Sequence, residues 1–134
     1  MTDARQKKSI YPTGKPLEAQ TFASALGQAV WLMTMDKAYR DLPIHEIEAR
    51  VATPIFLQQF KVYQKGKQPV AFLTWAMVSD EVKERVETGE KRLELKDWRS
   101  GTNQVVVECV SPFGATNDIE DKFWASLKSN LSLE

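Results

Sequence analysis

Phe60-Lys61-Val62-Tyr63, Gln64-Lys65-Gly66-Lys67-Gln68 and Val70-Ala71-Phe72-Leu73-Thr74-Trp75 follow one another along the chain, and their reading decides the fold. Two strand-like runs flank a polar turn that carries one glycine, which predicts a β-hairpin. Working outward toward the N-terminus, Phe22, Leu26, Ala29, Val30 and Met33 recur at helical spacing and give one apolar stripe. Pro16 suits the first position of that helix, where its missing N–H is not needed. Gly27 lies mid-helix at a cost of about 1 kcal/mol against alanine, which predicts close packing there. Asp36 to Leu42 break the pattern, and Pro43 opens a shorter helix through Ile44, Ile47 and Val51 that Pro54 is expected to end.

On the other side of the hairpin, Ser79 can cap a helix from Asp80 to Thr88, stopped by Gly89. Val82 stands three positions on, so no capping box supports it. A polar connection ends in Asp97-Trp98-Arg99-Ser100-Gly101, and Gln104 to Val110 is a third strand. Its nearly continuous apolar residues predict cover on both faces. Pro112 and Gly114 end it, and Ile119, Phe123, Trp124 and Leu127 predict a terminal helix. Residues 1–15 are polar, carry Pro12 and Gly14, and read as a flexible arm; 16–134 read as one domain. The order α-α-β-β-α-β-α describes a single α/β (α+β) domain around a central sheet.

Composition narrows the function. The 134 residues hold 18 basic and 18 acidic side chains, for no net formal charge, and 43% are apolar. Such a chain can bury a core, is not disordered, and does not hold nucleic acid by bulk phosphate attraction. One cysteine (Cys109) and one histidine (His45) leave no internal disulfide, no Cys-rich zinc site and no His-cluster metal site. No apolar run follows the N-terminal charges as in a secretory signal. No apolar window, Ala29 to Met35 included, approaches the roughly 18 residues of a membrane span. A cytoplasmic protein without bound cofactor or metal is expected.

Phosphate-loop, dinucleotide, nucleophile-elbow and zinc-protease motifs are absent. His45, early in the second helix, reads as a partly exposed helix histidine rather than a base. Cys109 reads as a small buried hydrophobe with no neighbouring base to activate it. Glu108 is more informative. Strand alternation places it on one face with Val106 and Val110, opposite Cys109. A carboxylate in an apolar strand must be paired, lie at the sheet surface, or carry a shifted pKa. Trp31, Trp75, Trp98 and Trp124 read as core or core margin, with no stacking platform for nucleic acid. Asp80 to Arg85 mixes both charges and reads as a solvated helix face.

An ordered set of landmarks goes further: Leu26-Gly27-Gln28-Ala29-Val30-Trp31-Leu32-Met33, Arg40-Asp41-Leu42-Pro43, Gln59-Phe60-Lys61-Val62-Tyr63 and Pro69 to Ala76. The most specific are Asp97-Trp98-Arg99-Ser100-Gly101 and Val107-Glu108-Cys109-Val110-Ser111-Pro112-Phe113-Gly114. In order and spacing the set resembles the toxin-activating lysine acyltransferases, the family of hemolysin- and cyclolysin-activating enzymes, over residues 26 to 114. That resemblance implies a GNAT-like fold with a mostly antiparallel sheet, often a homodimer. It implies transfer of a fatty acyl group from acyl carrier protein to internal lysines of an RTX protoxin. The chemistry is attack by a lysine amine on a thioester. An amine with a pKa of about 10.4 is neutral in only about one molecule in 10³–10⁴ at pH 7. A base that removes its proton recovers roughly 4–5 kcal/mol.

The resemblance further implies a histidine after the first helix, assisted by an aspartate on the strand before Pro-Phe-Gly. Here those dyad positions hold Tyr39 and Glu108. Glutamate keeps the carboxylate with one methylene more reach. A phenol near pKa 10 donates a hydrogen bond but is a poor base. Two roles are open to Tyr39: orienting the lysine or polarising the thioester carbonyl, or packing a loop onto the sheet. In the first, Glu108 is the local base, which requires burial. Twenty residues follow Gly114, fewer than the family's usual strand and helix, so a C-terminally shortened domain is expected. A dimer partner or a docked segment would then complete the sheet edge. The reading that follows is an altered acyltransferase, with a catalytically impaired module that binds toxin or acyl carrier protein as the alternative. An acyl-CoA-dependent GNAT enzyme fits less well, because its Gly-rich phosphate loop is absent.

Overall fold

A computed structural model describes residues 17–133, with side chains through Lys128. The arm assigned to 1–15 and the helix start assigned to Pro16 lie outside the described residues. Helix α1 (Ala19–Met35) leads into a helical segment made of a 3₁₀ turn (Ile44–Glu46), a π turn (Glu48–Ala52) and α2 (Thr53–Phe56). Strands β1 (Phe60–Lys65) and β2 (Gln68–Val78), helix α3 (Asp80–Glu87), a 3₁₀ turn (Leu95–Trp98), strand β3 (Asn103–Val110) and helix α4 (Thr116–Leu133) complete the order. The described strands form one antiparallel sheet, β1-β2-β3. The architecture is α+β, as expected.

The hairpin forms where the sequence places it. Lys65 pairs with Gln68 across Gly66 and Lys67, and Gly66 takes φ +64°, a backbone conformation open to glycine. Ser79 caps α3, its hydroxyl accepting from the Val82 N–H at 3.2 Å. Three clusters build the core. On one sheet face Ala25, Ala29, Leu32 and Met33 of α1 meet Tyr39, Val51, Ile55, Phe72 and Val110. Beyond them on that face, Val82, Leu93 and Trp98 pack on Ala76, Val78, Val105 and Val107. On the opposite face Ile119 and Phe123 of α4 cover Ala71, Leu73 and Cys109. Strand β3 is therefore covered on both faces while standing at one end of the described strand order.

Four expectations need correction. Pro54 does not end the second helical segment; it lies inside α2. The π turn explains this: the Thr53 N–H bonds the Glu48 carbonyl, five residues back, so the ladder is already stepping out of register at the residue before proline. Gly27 is not closely packed, since a Cβ there would meet nothing within 4 Å. Trp31 and Trp124 are 44% and 39% exposed rather than core residues. Glu108 does not share a face with Val106. Thr74 pairs with Glu108 and Trp75 with Val106, leaving Val107 as a bulged extra residue. The bulge turns Val106 to the α4 face beside Cys109, while Glu108 stays on the α1 face with Val110.

Candidate functional site

The site is assembled from three distant pieces of chain. The loop after α1 brings Tyr39, the π turn brings Arg50, and the strand beyond the bulge brings Glu108. Asp36 holds the first piece against the third. One carboxylate oxygen accepts from the Ala38 N–H at 2.9 Å, and the other accepts from the Ser111 N–H at 3.1 Å. Ser111 in turn donates its hydroxyl to the Gly114 carbonyl at 3.1 Å, closing the Ser-Pro-Phe-Gly turn. The bulge leaves the Glu108 N–H to the Thr74 hydroxyl at 3.1 Å, deep in the sheet.

Glu108 is 3% exposed and does not stand alone. Arg50 reaches it with two parallel hydrogen bonds, Nε to Oε2 at 2.8 Å and Nη2 to Oε1 at 2.7 Å. This fork geometry engages both oxygens and is the strong form of the arginine–carboxylate pair. Only 16% of the Arg50 side chain is exposed, and the hydrogen bond to Glu108 holds its guanidinium above the usual range. The guanidinium carbon sits 6.0 Å from the centre of the Tyr39 ring. Tyr39 is 7% exposed, and burial pushes its phenol well above the ordinary 10. The Glu108 charge and a hydrogen bond to Glu108 raise it further, against the opposing pull of Arg50. The phenol is thus a donor at neutral pH, and the carboxylate is already doubly bound.

The structure brings both dyad positions, Tyr39 and Glu108, into one cluster. Arg50 is the member that sequence reasoning missed. A partial signal was available: pairing with a cation is one of the three ways to keep a carboxylate in an apolar strand, and Arg50 is the single Lys or Arg between Arg40 and Lys61. His45 does not join the cluster; its side chain is 74% exposed and lies 3.4 Å from Glu46. Cys109 faces α4, is buried, and has its thiol pushed up to about 12, first by burial and then by Glu120 and Asp36. A protonated thiol is a poor nucleophile. Among the described residues no group of three or more His, Cys, Asp or Glu is placed to hold a metal. No described helix is long and apolar enough to cross a membrane.

The Asp-Trp-Arg-Ser-Gly motif has a different job. Asp97 accepts from Arg85 Nη2 and from the Glu94 N–H, both at 3.0 Å, in a capping box. Arg99 donates Nε to Gln59 Oε1 at 2.6 Å and Nη2 to the Leu57 carbonyl at 2.9 Å. Gln59, 1% exposed, donates to the carbonyls of Trp75 and Trp98, each at 3.1 Å. The Ser100 hydroxyl donates to the Asp97 carbonyl and accepts from the Ser79 N–H. A Cβ on Gly101 would stand 2.5 Å from the Val78 carbonyl oxygen, so only glycine fits. Asp97, Ser100 and Gly101 brace the motif against α3 and the end of β2, and Arg99 ties it to the segment between α2 and β1.

Comparison with known proteins places this arrangement. The sequence model of the RTX toxin acyltransferase family matches residues 18–132. The chain belongs to that family. It is 28% identical over 91 residues to the protein-lysine myristoyltransferase RtxC of Kingella kingae, covering 68% of this chain and 54% of that protein. It is 27% identical over 95 residues to the lysine-acyltransferase RtxC of Vibrio cholerae, covering 70% of this chain and 62% of that protein. An uncharacterized protein of Synechocystis is 28% identical over 108 residues, 79% of this chain and 71% of its own length. The chain thus spans little more than half the length of the named acyltransferases it matches.

Proposed function

We propose that this chain serves the lysine acylation of an RTX protoxin as a binding member of the family. In this reading it engages acyl carrier protein, which brings the fatty acyl group, and the protoxin that receives it, with little acyl transfer of its own. One observation carries the reading: at the position where the family resemblance puts a carboxylate assisting a histidine, both oxygens of Glu108 accept from Arg50, and the histidine position holds the buried Tyr39. An attacking lysine must lose a proton at a cost of roughly 4–5 kcal/mol near neutral pH. Tyr39 cannot take it, since burial and Glu108 both favour the protonated phenol. Each Glu108 oxygen already accepts one hydrogen bond from Arg50, so a lysine proton brought to it works against a buried ion pair. A GNAT-like fold, a cytoplasmic setting and a homodimer accompany this reading.

A second reading, an acyltransferase with a rebuilt dyad, has its own support. The Asp36–Ser111 tether holds Tyr39 beside Glu108 across 69 residues of sequence, which preserves the juxtaposition acyl transfer needs. Intact-mass spectrometry decides between them. The natural chain and a Tyr39→His, Glu108→Asp double variant are each incubated with long-chain acyl–acyl carrier protein and a lysine-bearing RTX protoxin fragment. The binding reading expects no acylated fragment from the natural chain, and retained binding of the carrier or the fragment. Acylated fragment from the natural chain establishes the second reading. Product from the double variant alone shows that the substitutions silenced the site.

A further inference from the structure

Between Glu48 and Asp80 the chain has no acidic residue, although 27% of all residues are charged. That stretch carries Arg50, Lys61, Lys65 and Lys67. Arg50 is consumed by Glu108. The three lysines are all exposed and gather on the β1–β2 hairpin, where no ion pair among the described residues reaches them. The contrast with the other half of the molecule is sharp. From Asp80 to Trp98 the basic side chains have partners: Lys83 with Glu87, Arg85 with Glu90 and Asp97, Arg92 with Glu46, and Lys96 with Glu94. Lys91 donates to the Val107 carbonyl.

Strand geometry orders the hairpin charges. The bulge between Tyr63 and Gln64 inserts its extra residue, Val70, on β2, so β1 keeps its alternation. Lys61 and Lys65 therefore project on the same face as Tyr63, about 13 Å apart along the strand. Lys67 adds a third charge at the turn. Tyr63 packs into the cluster covered by α4. The result is a rigid, one-signed row at the sheet edge of a chain with no net formal charge.

We propose that the Lys61–Lys65–Lys67 row is the docking surface for an acidic partner protein, which in the reading above is the acyl carrier protein. Charge complementarity selects that class of partner. Lysines that no ion pair among the described residues engages, on a hairpin paired into the sheet, are free to steer an oppositely charged surface into register. A nucleic-acid partner would be expected to use arginine forks and exposed aromatic platforms, and the row has neither.

Titration of fluorescently labelled acyl–acyl carrier protein tests this, with the natural chain, a Lys61→Glu, Lys65→Glu, Lys67→Glu variant, and a Lys83→Glu, Lys96→Glu control. Substitutions at these exposed positions are expected to leave the circular dichroism spectrum unchanged. The hairpin variant is expected to bind at least tenfold more weakly and to lose most of the salt dependence between 50 and 300 mM. The control is expected to stay within about threefold of the natural chain. Equal binding by the natural chain and the hairpin variant overturns the docking surface and leaves the proposed function standing. Equal binding with new self-association of the variant also overturns it, and assigns the lysines to guarding the sheet edge. No binding by the natural chain overturns the carrier-protein reading and this surface together.

Discussion

Two buried carboxylates, Asp97 and Glu108, each meet an arginine, and the two pairs behave differently. Asp97 draws its partners from nearby: Arg85 twelve residues back and Glu94 three residues back. Its cluster is a local brace, with Arg85 34% exposed. Glu108 draws Arg50 from 58 residues away, and the pair is 16% and 3% exposed. The first pair secures a turn. The second cross-links a helical segment to the far strand at the position where the family resemblance puts the carboxylate that assists its histidine. A motif kept for its fold and a carboxylate kept near its chemical position thus look alike in the sequence.

The comparison is most directly broken by removing each acid. Glu108→Ala is expected to lose about 3–5 kcal/mol, because Arg50 stays buried without a counter-charge. Asp97→Ala is expected to lose about 1–3 kcal/mol, because Arg85 keeps Glu90 and solvent. Urea unfolding measures both, and equal losses would show that depth of burial does not separate the pairs. An Arg50→Met, Glu108→Leu double variant sharpens the point: apolar replacement of both partners is expected to recover most of the loss.

Gly101→Ala probes the brace by crowding rather than charge. Its Cβ would press on the Val78 carbonyl and the Ser79 N–H, and a loss of about 1–3 kcal/mol is expected by the same assay. Alkaline pH probes the groups that flank the Glu108 strand. Cys109 rises from its ordinary 9.0 to about 12, and the Tyr39 phenol is also raised. The folded chain holds these protons where the unfolded chain releases them. Their stabilising contribution is therefore full below about pH 9 and falls as pH rises, at about 1.4 kcal/mol per pH unit per group. Melting temperature between pH 8 and 11 should fall, and Cys109→Ala should flatten the onset between pH 9 and 10. The smallest effect is at the α3 cap. Ser79→Ala is expected to cost about 1 kcal/mol, read as a small shift in the urea midpoint.

What the sequence by itself determined was set by short-range patterns. The hairpin around Gly66, the apolar stripe of α1, the Ser79 cap and the near-continuous apolar run of β3 are each written within a few turns or one strand. The dyad positions Tyr39 and Glu108 are also legible in linear spacing, as what the family resemblance implies. Tertiary structure decided the rest. Whether Gly27 packs closely depends on what lies outside α1, and nothing does within 4 Å. Which face Val106 takes depends on one extra residue in β3, visible only against the pairing of β2. The sequence does not choose between solvation, pairing and a shifted pKa for Glu108, because its partner, Arg50, comes from a π turn 58 residues away. A chain pattern records periodicity along itself; the meeting of remote side chains belongs to the packed molecule.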